Sequence, residues 1–181
     1  MLKEFKKYQG INIMSYFLEN PGNEIHLKEL ARTLKISPAT AKTFCDLFTQ
    51  ENIVTKKQKS NSLFFQLNNE NRYVQQLKKV YFLLKIKKIW KEVKEEGIKS
   101  IVLYGSFSSG RYGEKSDLDI LILSRKKEID TTFVLDFQKK MKKEINITKI
   151  TYIEWEKLKK ENDPFLQEVM LNHFIIQGEE L

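Results

Sequence analysis

Apolar residues along this chain follow three regimes: helical spacing near the start, one long unbroken helical stretch in the middle, and short continuous runs toward the end. Ile11, Ile13, Met14, Tyr16 and Phe17 recur at helical intervals and predict a first helix that stops at the turn cluster Asn20-Pro21-Gly22-Asn23. A second helix is predicted at about 27–34, with Lys35-Ile36 as the following turn. Ser37-Pro38 then supplies an N-cap and a proline at the first helical position, a strong helix start. In that third helix Ala41, Phe44, Cys45 and Phe48 face inward, which leaves Thr40, Lys42 and Thr43 near its exposed beginning. A strand at 52–54, a tip at 56–61 and a return strand at 63–67 complete a hairpin. From 73 to 96 there is neither Pro nor Gly, so one long helix is predicted, ended by Gly97; its run 80–84 is apolar all round and has two sides to bury, in a core or against a second subunit. Continuous apolar runs at 98–104, 118–124 and 145–152 predict buried strands, with helices near 131–143 and 164–172 and a last strand at 174–177.

Between the first two of those strands the chain reads IVLYGSFSSGRYGEKSDLDILIL, residues 101–123. Asp117 and Asp119 are two apart on a strand-like segment, so both carboxylates project from one face. A hard cation such as Mg²⁺ is commonly held by one or two carboxylates together with substrate phosphate oxygens. The strand offers the carboxylates, and the Gly105-Ser106 turn offers backbone N–H donors to a phosphate. Asp119 also lies between Leu118 and Ile120, where an unpaired carboxylate would be costly. Arg111 and Lys115 in the same loop are read either as phosphate contacts or as solvated loop cations.

The string G-S-F-S-S-G-R-Y-G-E-K-S-D-L-D-I-L-I, residues 105–122, resembles the signature of the minimal nucleotidyltransferases of the DNA polymerase beta-like superfamily, in which Gly-Ser is followed after about ten residues by Asp-x-Asp. The resemblance implies a small mixed-sheet domain over 98–181 and a nucleoside triphosphate as substrate or ligand. It further implies that Gly105 lets the backbone approach the triphosphate, that Ser106 bonds a terminal phosphate, and that Asp117 and Asp119 carry Mg²⁺, as one ion or two. Family members add a third carboxylate on a later strand, and here the pattern departs, because that place in Glu144-Ile145-Asn146-Ile147 holds Asn146. An amide ligates weakly and cannot act as a general base. Glu144 shares a face with Asn146 and is the substitute, so the catalytic set reads Asp117, Asp119 and Glu144; Asn146 itself reads equally as a structural edge residue. Antitoxin members of the superfamily imply a protein hydroxyl, on a toxin partner, as one acceptor.

Residues 10–69 resemble the winged-helix domains of archaeal and bacterial transcription regulators. That resemblance implies duplex DNA as a partner, with Ser37, Thr40, Lys42 and Thr43 of the recognition helix near base edges and Lys56, Lys57 and Lys59 of the wing near phosphates. Winged helices also serve as protein docking modules, and the same residues then form a solvated face.

Charge changes this picture only through its placement. The formal charge is +8, yet residues 101–181 carry 13 Lys or Arg against 14 acids, whereas residues 71–100 carry nine against three and residues 1–70 ten against seven. Basic character therefore sits upstream of the Asp-x-Asp motif, where a polyanion would bind. With 41% hydrophobic and 12% aromatic residues, 181 residues suffice for two small packed cores. The single Cys45 excludes an internal disulfide, His26 and His173 have no clustered partners, and no apolar run approaches the length of a membrane span. A cytoplasmic protein without a membrane partner is the expectation. The fold class read from the sequence is α+β, with a winged helix-turn-helix at 1–70, a connecting helix at 71–97 and a nucleotidyltransferase-like domain at 98–181. The function read with it is Mg²⁺-dependent transfer of a nucleoside monophosphate by a DNA-binding protein. The alternative is a DNA-binding regulator, antitoxin-like, whose second domain only binds nucleotide.

Overall fold

The structure, a computed structural model, describes residues 8–90, 97–126, 128, 130, 132–141 and 143–181, with the side chains of 88–90, 133, 136 and 140 left aside. It divides into two units. The first runs to Tyr81 and includes Tyr112–Glu114; the second comprises Phe82–Arg111 and Lys115–Leu181.

In the first unit, α1 (Gln9–Glu19) is followed by the short strand β1 (Ile25–His26), α2 (Leu27–Leu34), α3 (Pro38–Gln50) and the hairpin strands β2 (Val54–Lys59) and β3 (Ser62–Leu67). β3 lies between β1 and β2, antiparallel to both, with Ile25 opposite Phe65 and Val54 opposite Leu67. The helix boundaries follow local chemistry. His26 Nδ1 accepts from the Lys28 N–H at the start of α2, Lys35 closes that helix at φ 56°, and Ser37 Oγ accepts from the Thr40 N–H to open α3. Ile13, Phe17, Leu30, Cys45, Phe65 and Leu67 make the core. Burial raises the Cys45 thiol to about 12, so it stays protonated and inert.

The hairpin differs from the sequence expectation. Its strands run to Lys59 and from Ser62, so the tip is only Ser60-Asn61, and Lys56 and Lys57 lie on the strand opposite Phe65 and Phe64. The lysine run reads as a loop because it lacks apolar alternation, but β2 beyond Val54 is exposed on both faces and needs none.

Helix α4 (Arg72–Trp90) contributes Val74, Lys78 and Tyr81 as buried residues to the first unit and Phe82 and Ile86 to the second. The sequence expectation carried this helix to 96; residues 91–96, including Lys91, lie outside the described residues. Lys78 is 1% exposed, and burial lowers its ammonium from the ordinary 10.5 to about 8. Between those two values the unfolded chain holds a proton that the folded chain has released, so stability rises with pH across that window. Urea unfolding at pH 7.5 and pH 10 is expected to show the rise in the wild type, and Lys78→Met is expected to remove this contribution.

The second unit contains β4 (Ile98–Tyr104), α5 (Gly105–Ser109), β5 (Leu118–Ser124), α6 (Thr132–Met141), β6 (Ile145–Thr151), α7 (Tyr152–Glu161), α8 (Pro164–Leu171) and β7 (Phe174–Gly178). The sheet order is β6-β5-β4-β7. β4 is antiparallel to β5 and β7, and β5 is parallel to β6, the pair joined through α6 as a parallel pair requires. Val102, Tyr104, Leu121 and Leu123 cover one sheet face against Trp155 of α7 and Leu166 and Val169 of α8. On α5, Phe107 packs its ring 4.4 Å from Phe82. The sequence showed neither α5 nor α7 as a helix. α5 is one turn long, and α7 is mostly Glu and Lys around the single buried Trp155, too little apolar repetition to read. A capping box between Thr151 and Glu154 starts α7 instead. None of the described helices is long and apolar enough to cross a membrane.

Candidate functional site

Three strands bring the site together by register. Tyr104, the last residue of β4, lies opposite Asp119 on β5, and Asp119 in turn lies beside Asn146 on β6. The Asn146 Nδ2 donates to Asp119 Oδ1 at 3.1 Å. One strand position further along β6, on the same face, Thr148 Oγ1 and the Tyr104 hydroxyl are 3.1 Å apart. Burial raises the Tyr104 hydroxyl above its ordinary value, and the charges of Asp119 and Glu168 push it the same way, so it remains a neutral donor.

β4 passes directly into α5 at Gly105, whose φ is 70°. A Cβ there would stand 2.5 Å from Asp119 Oδ2. Glycine is thus required twice, by backbone conformation and by the close approach of the carboxylate. The same contact physically joins the Gly-Ser half of the motif to the Asp-x-Asp half. Ser106 holds the turn through its carbonyl, which accepts from Ser109 Oγ at 3.1 Å and from the Arg111 N–H at 2.9 Å. Ser108 Oγ, buried, donates to the Asn172 carbonyl at 2.6 Å and ties α5 to the turn before β7.

Asp117 stands one residue before β5 and, like Asp119, is half-buried. The two carboxylates fit a divalent cation that fills the rest of its shell with phosphate oxygens and water, as Mg²⁺ does. They do not fit an all-protein cage: among the described residues no three His, Cys, Asp or Glu side chains gather into a metal-holding group. A cation held here would neutralise phosphate charge and polarise a phosphorus centre for attack. Glu144 precedes β6, is exposed, and takes part through its carbonyl, which accepts from the Leu118 N–H at 2.9 Å. Its side chain belongs to a surface pocket with Leu135, Gln138, Lys139 and Lys143. Arg111 and Lys115 are both exposed in the loop between α5 and β5.

The residues expected to meet DNA are placed on α3 and the hairpin. Ser37 Oγ and Thr40 Oγ1 bond each other at 2.8 Å, and Thr43 Oγ1 donates back to the Ala39 carbonyl. Every one of the named lysines has an acidic neighbour, which the sequence could not show. Asp46 receives Lys42 at 2.6 Å and Lys56 at 2.8 Å, while Glu24 receives Lys57 at 3.2 Å and also Lys59. Lys42 first and Lys56 second hold the Asp46 carboxyl below the usual range, and Lys59 and Lys57 do the same to Glu24. Tyr104 and Thr148 were also missed; the only sequence signal for Tyr104 is its position immediately before Gly105.

Residues 86–176, half of the chain, match the sequence family described as a nucleotidyltransferase domain. A Methanocaldococcus jannaschii protein named as a candidate protein adenylyltransferase is 36% identical over 75 residues, 40% of this chain and 72% of that protein. Among solved structures, a toxin-antitoxin complex with AMP-PNP is 18% identical over 63% of this chain and 76% of its own, with a TM-score of 0.36. A candidate transcriptional regulator of Methanosarcina mazei Go1 is 18% identical over 48% of this chain and 78% of its own, with a TM-score of 0.34.

Proposed function

The chain belongs to the nucleotidyltransferase-domain family, and from that premise we propose that it binds an Mg²⁺–nucleoside triphosphate between the Gly105-Ser106 turn and Asp117 and Asp119, and transfers the nucleoside monophosphate to a protein hydroxyl. The observation that carries this reading is the contact geometry at Gly105, where a missing Cβ leaves Asp119 Oδ2 facing the turn. Asp117 and Asp119 hold the cation; Ser106, Arg111 and Lys115 meet phosphate oxygens. In the transfer the acceptor oxygen bonds the α-phosphorus, the bond to the bridging oxygen of pyrophosphate breaks, and Glu144 takes the hydroxyl proton. The relative named as a protein adenylyltransferase supports ATP as donor and a protein as acceptor. A toxin-type partner protein is the acceptor class we favour. Incubation with ATP labelled at the α- or the γ-phosphate, Mg²⁺ and lysate tests the reaction. Label on protein from the α position alone supports it, and label from the γ position alone would make the chain a kinase instead.

The hydrogen bond from Asn146 to Asp119 favours a second reading, a nucleotide sensor without transfer, because the third acidic position then holds a neutral amide.

We further propose that the first unit is a winged helix, with α3 as recognition helix and β2–β3 as wing, and that it binds duplex DNA. The order of its elements and the β1-β3-β2 sheet support this. Because Asp46 and Glu24 already neutralise part of the lysine charge, the affinity is expected to be modest. With about three phosphate contacts per chain the log–log salt slope is roughly −3. Glu24→Gln with Asp46→Asn is expected to tighten non-specific duplex binding several-fold, and Lys56→Ala with Lys57→Ala to flatten the slope by up to about 2 units. Fluorescence anisotropy across a salt series measures both; binding indifferent to salt would make the module a protein-docking surface.

A further inference from the structure

The loop between the two halves of the site is held by a buried lysine. Tyr112 lies midway between Ser106 and Asp117, and its backbone carbonyl accepts from Lys78 Nζ at 2.5 Å. The same ammonium donates to Asn69 Oδ1 at 2.9 Å and stands 4.6 Å from the centre of the Tyr112 ring. In return the Tyr112 hydroxyl donates to the Lys78 carbonyl at 3.3 Å. Tyr112 is itself buried, at 6% exposure. Helix α4 and the loop thus hold each other from both sides, and the grip lies inside the first unit, to which Tyr112–Glu114 belong.

Lysine is an expensive choice at such a place. Burying an ammonium costs free energy that a methionine of similar length would not, so its value lies in specifying an arrangement. What it specifies is the position of one backbone carbonyl in a loop that contains Gly113 and has few other restraints of sequence. That loop is the covalent link from Ser106 to Asp117.

We propose that Lys78 is a positioning residue of the nucleotide site: by gripping the Tyr112 carbonyl it fixes the 111–116 loop and so sets the spacing of the Gly105-Ser106 turn against Asp117. The inference rests on the nucleotide-binding reading above. Its consequence is reciprocal linkage, since anything that steadies the loop favours the nucleotide, and the nucleotide must then steady the loop and its anchor.

The test joins calorimetry with hydrogen exchange on the whole chain. Lys78→Met is expected to weaken Mg²⁺–ATP binding at least about 10-fold, whereas Lys87→Met, exposed on the same helix, leaves it unchanged. Without nucleotide, the Lys78→Met protein is expected to lose exchange protection at 112–116 while keeping it in β2 and β3, a pattern that general unfolding would not give. In the wild type, which needs no variant to fold, Mg²⁺–ATP is expected to slow exchange at 112–114 and around Lys78. Tight ATP binding by the wild type with no change of exchange at either place, or equal affinity in Lys78→Met, would overturn the inference while leaving the nucleotide reading intact. A wild type that binds no Mg²⁺–ATP would overturn both.

Discussion

Gly105→Ala is expected to abolish Mg²⁺-dependent nucleotide binding while leaving the second unit folded. At φ 70° an alanine costs about 1–2 kcal/mol in backbone strain alone. Its Cβ would also stand 2.5 Å from Asp119 Oδ2, far inside van der Waals contact, so the carboxylate must move. Moving it breaks the bond from Asn146 to Asp119 Oδ1 and takes one of two metal-holding oxygens groups away from the other at Asp117. The sheet can absorb this, because Tyr104 and Leu103 keep their ladder partners Asp119 and Ile120 through the backbone. The expected result is a fall of a few degrees in Tm together with loss of the ATP-induced rise in Tm. That rise should be about 2–3 kcal/mol worth of stabilisation in the wild type at 100 times the Kd. An alanine variant with the wild-type thermal shift would mean that the turn does not face the nucleotide.

The second large effect concerns Asn146. Asn146→Asp places a carboxylate at hydrogen-bonding distance from Asp119, where the amide now donates at 3.1 Å. Two carboxylates that close cannot both ionise without a cation, so the metal-free variant raises the pKa of one of them above its unfolded value. The sign follows: the variant is destabilised relative to wild type at neutral pH, and the deficit shrinks as pH falls through the raised folded pKa. Mg²⁺ should erase the deficit, which makes its stabilising effect larger in the variant than in the wild type. If the chain transfers nucleotide, the added acid is expected to raise the rate by on the order of 10²-fold, the usual scale for a well-placed base. Glu144→Gln in the wild type is expected to lower it by a similar factor with nucleotide affinity unchanged. Mg²⁺ titrations followed by thermal unfolding, and single-turnover transfer with α-labelled ATP, measure the two halves. A variant indifferent to Mg²⁺ in both would show that position 146 does not border the metal.

The sequence was most informative where chemistry and backbone geometry coincide. Gly105, Asp117 and Asp119 were legible because a glycine, a fixed spacing and acids embedded in an apolar run are each unusual, and the register across β4, β5 and β6 gathers Gly105, Asp119 and Asn146. Ser37-Pro38 located the start of α3 for a similar reason, since the cap and the proline are local signals. What escaped depends on partners distant in sequence. β1 is two residues long and exists only through its pairing with β3, and α7 shows one buried aromatic in ten residues. The lysines of the hairpin read as free cations, whereas Glu24 and Asp46 reach them across gaps of up to 35 residues. Lys78 read as one of a helical lysine cluster on a solvated face, and nothing in its neighbours reveals that its ammonium is buried against Tyr112, 34 residues on.

Calorimetric titration of ATP into the wild type and into Asp117→Asn with Asp119→Asn, each with and without Mg²⁺, tests the central claim most directly. The two carboxylates repel a triphosphate unless a cation intervenes, so the wild type should bind ATP only with Mg²⁺. The double variant, with its acids neutralised, should lose the Mg²⁺ dependence and the tight binding together, by at least about 100-fold in affinity, or about 2.8 kcal/mol. Equal binding in all four titrations would contradict the account, because the nucleotide would then be held without the metal that Asp117 and Asp119 are proposed to carry.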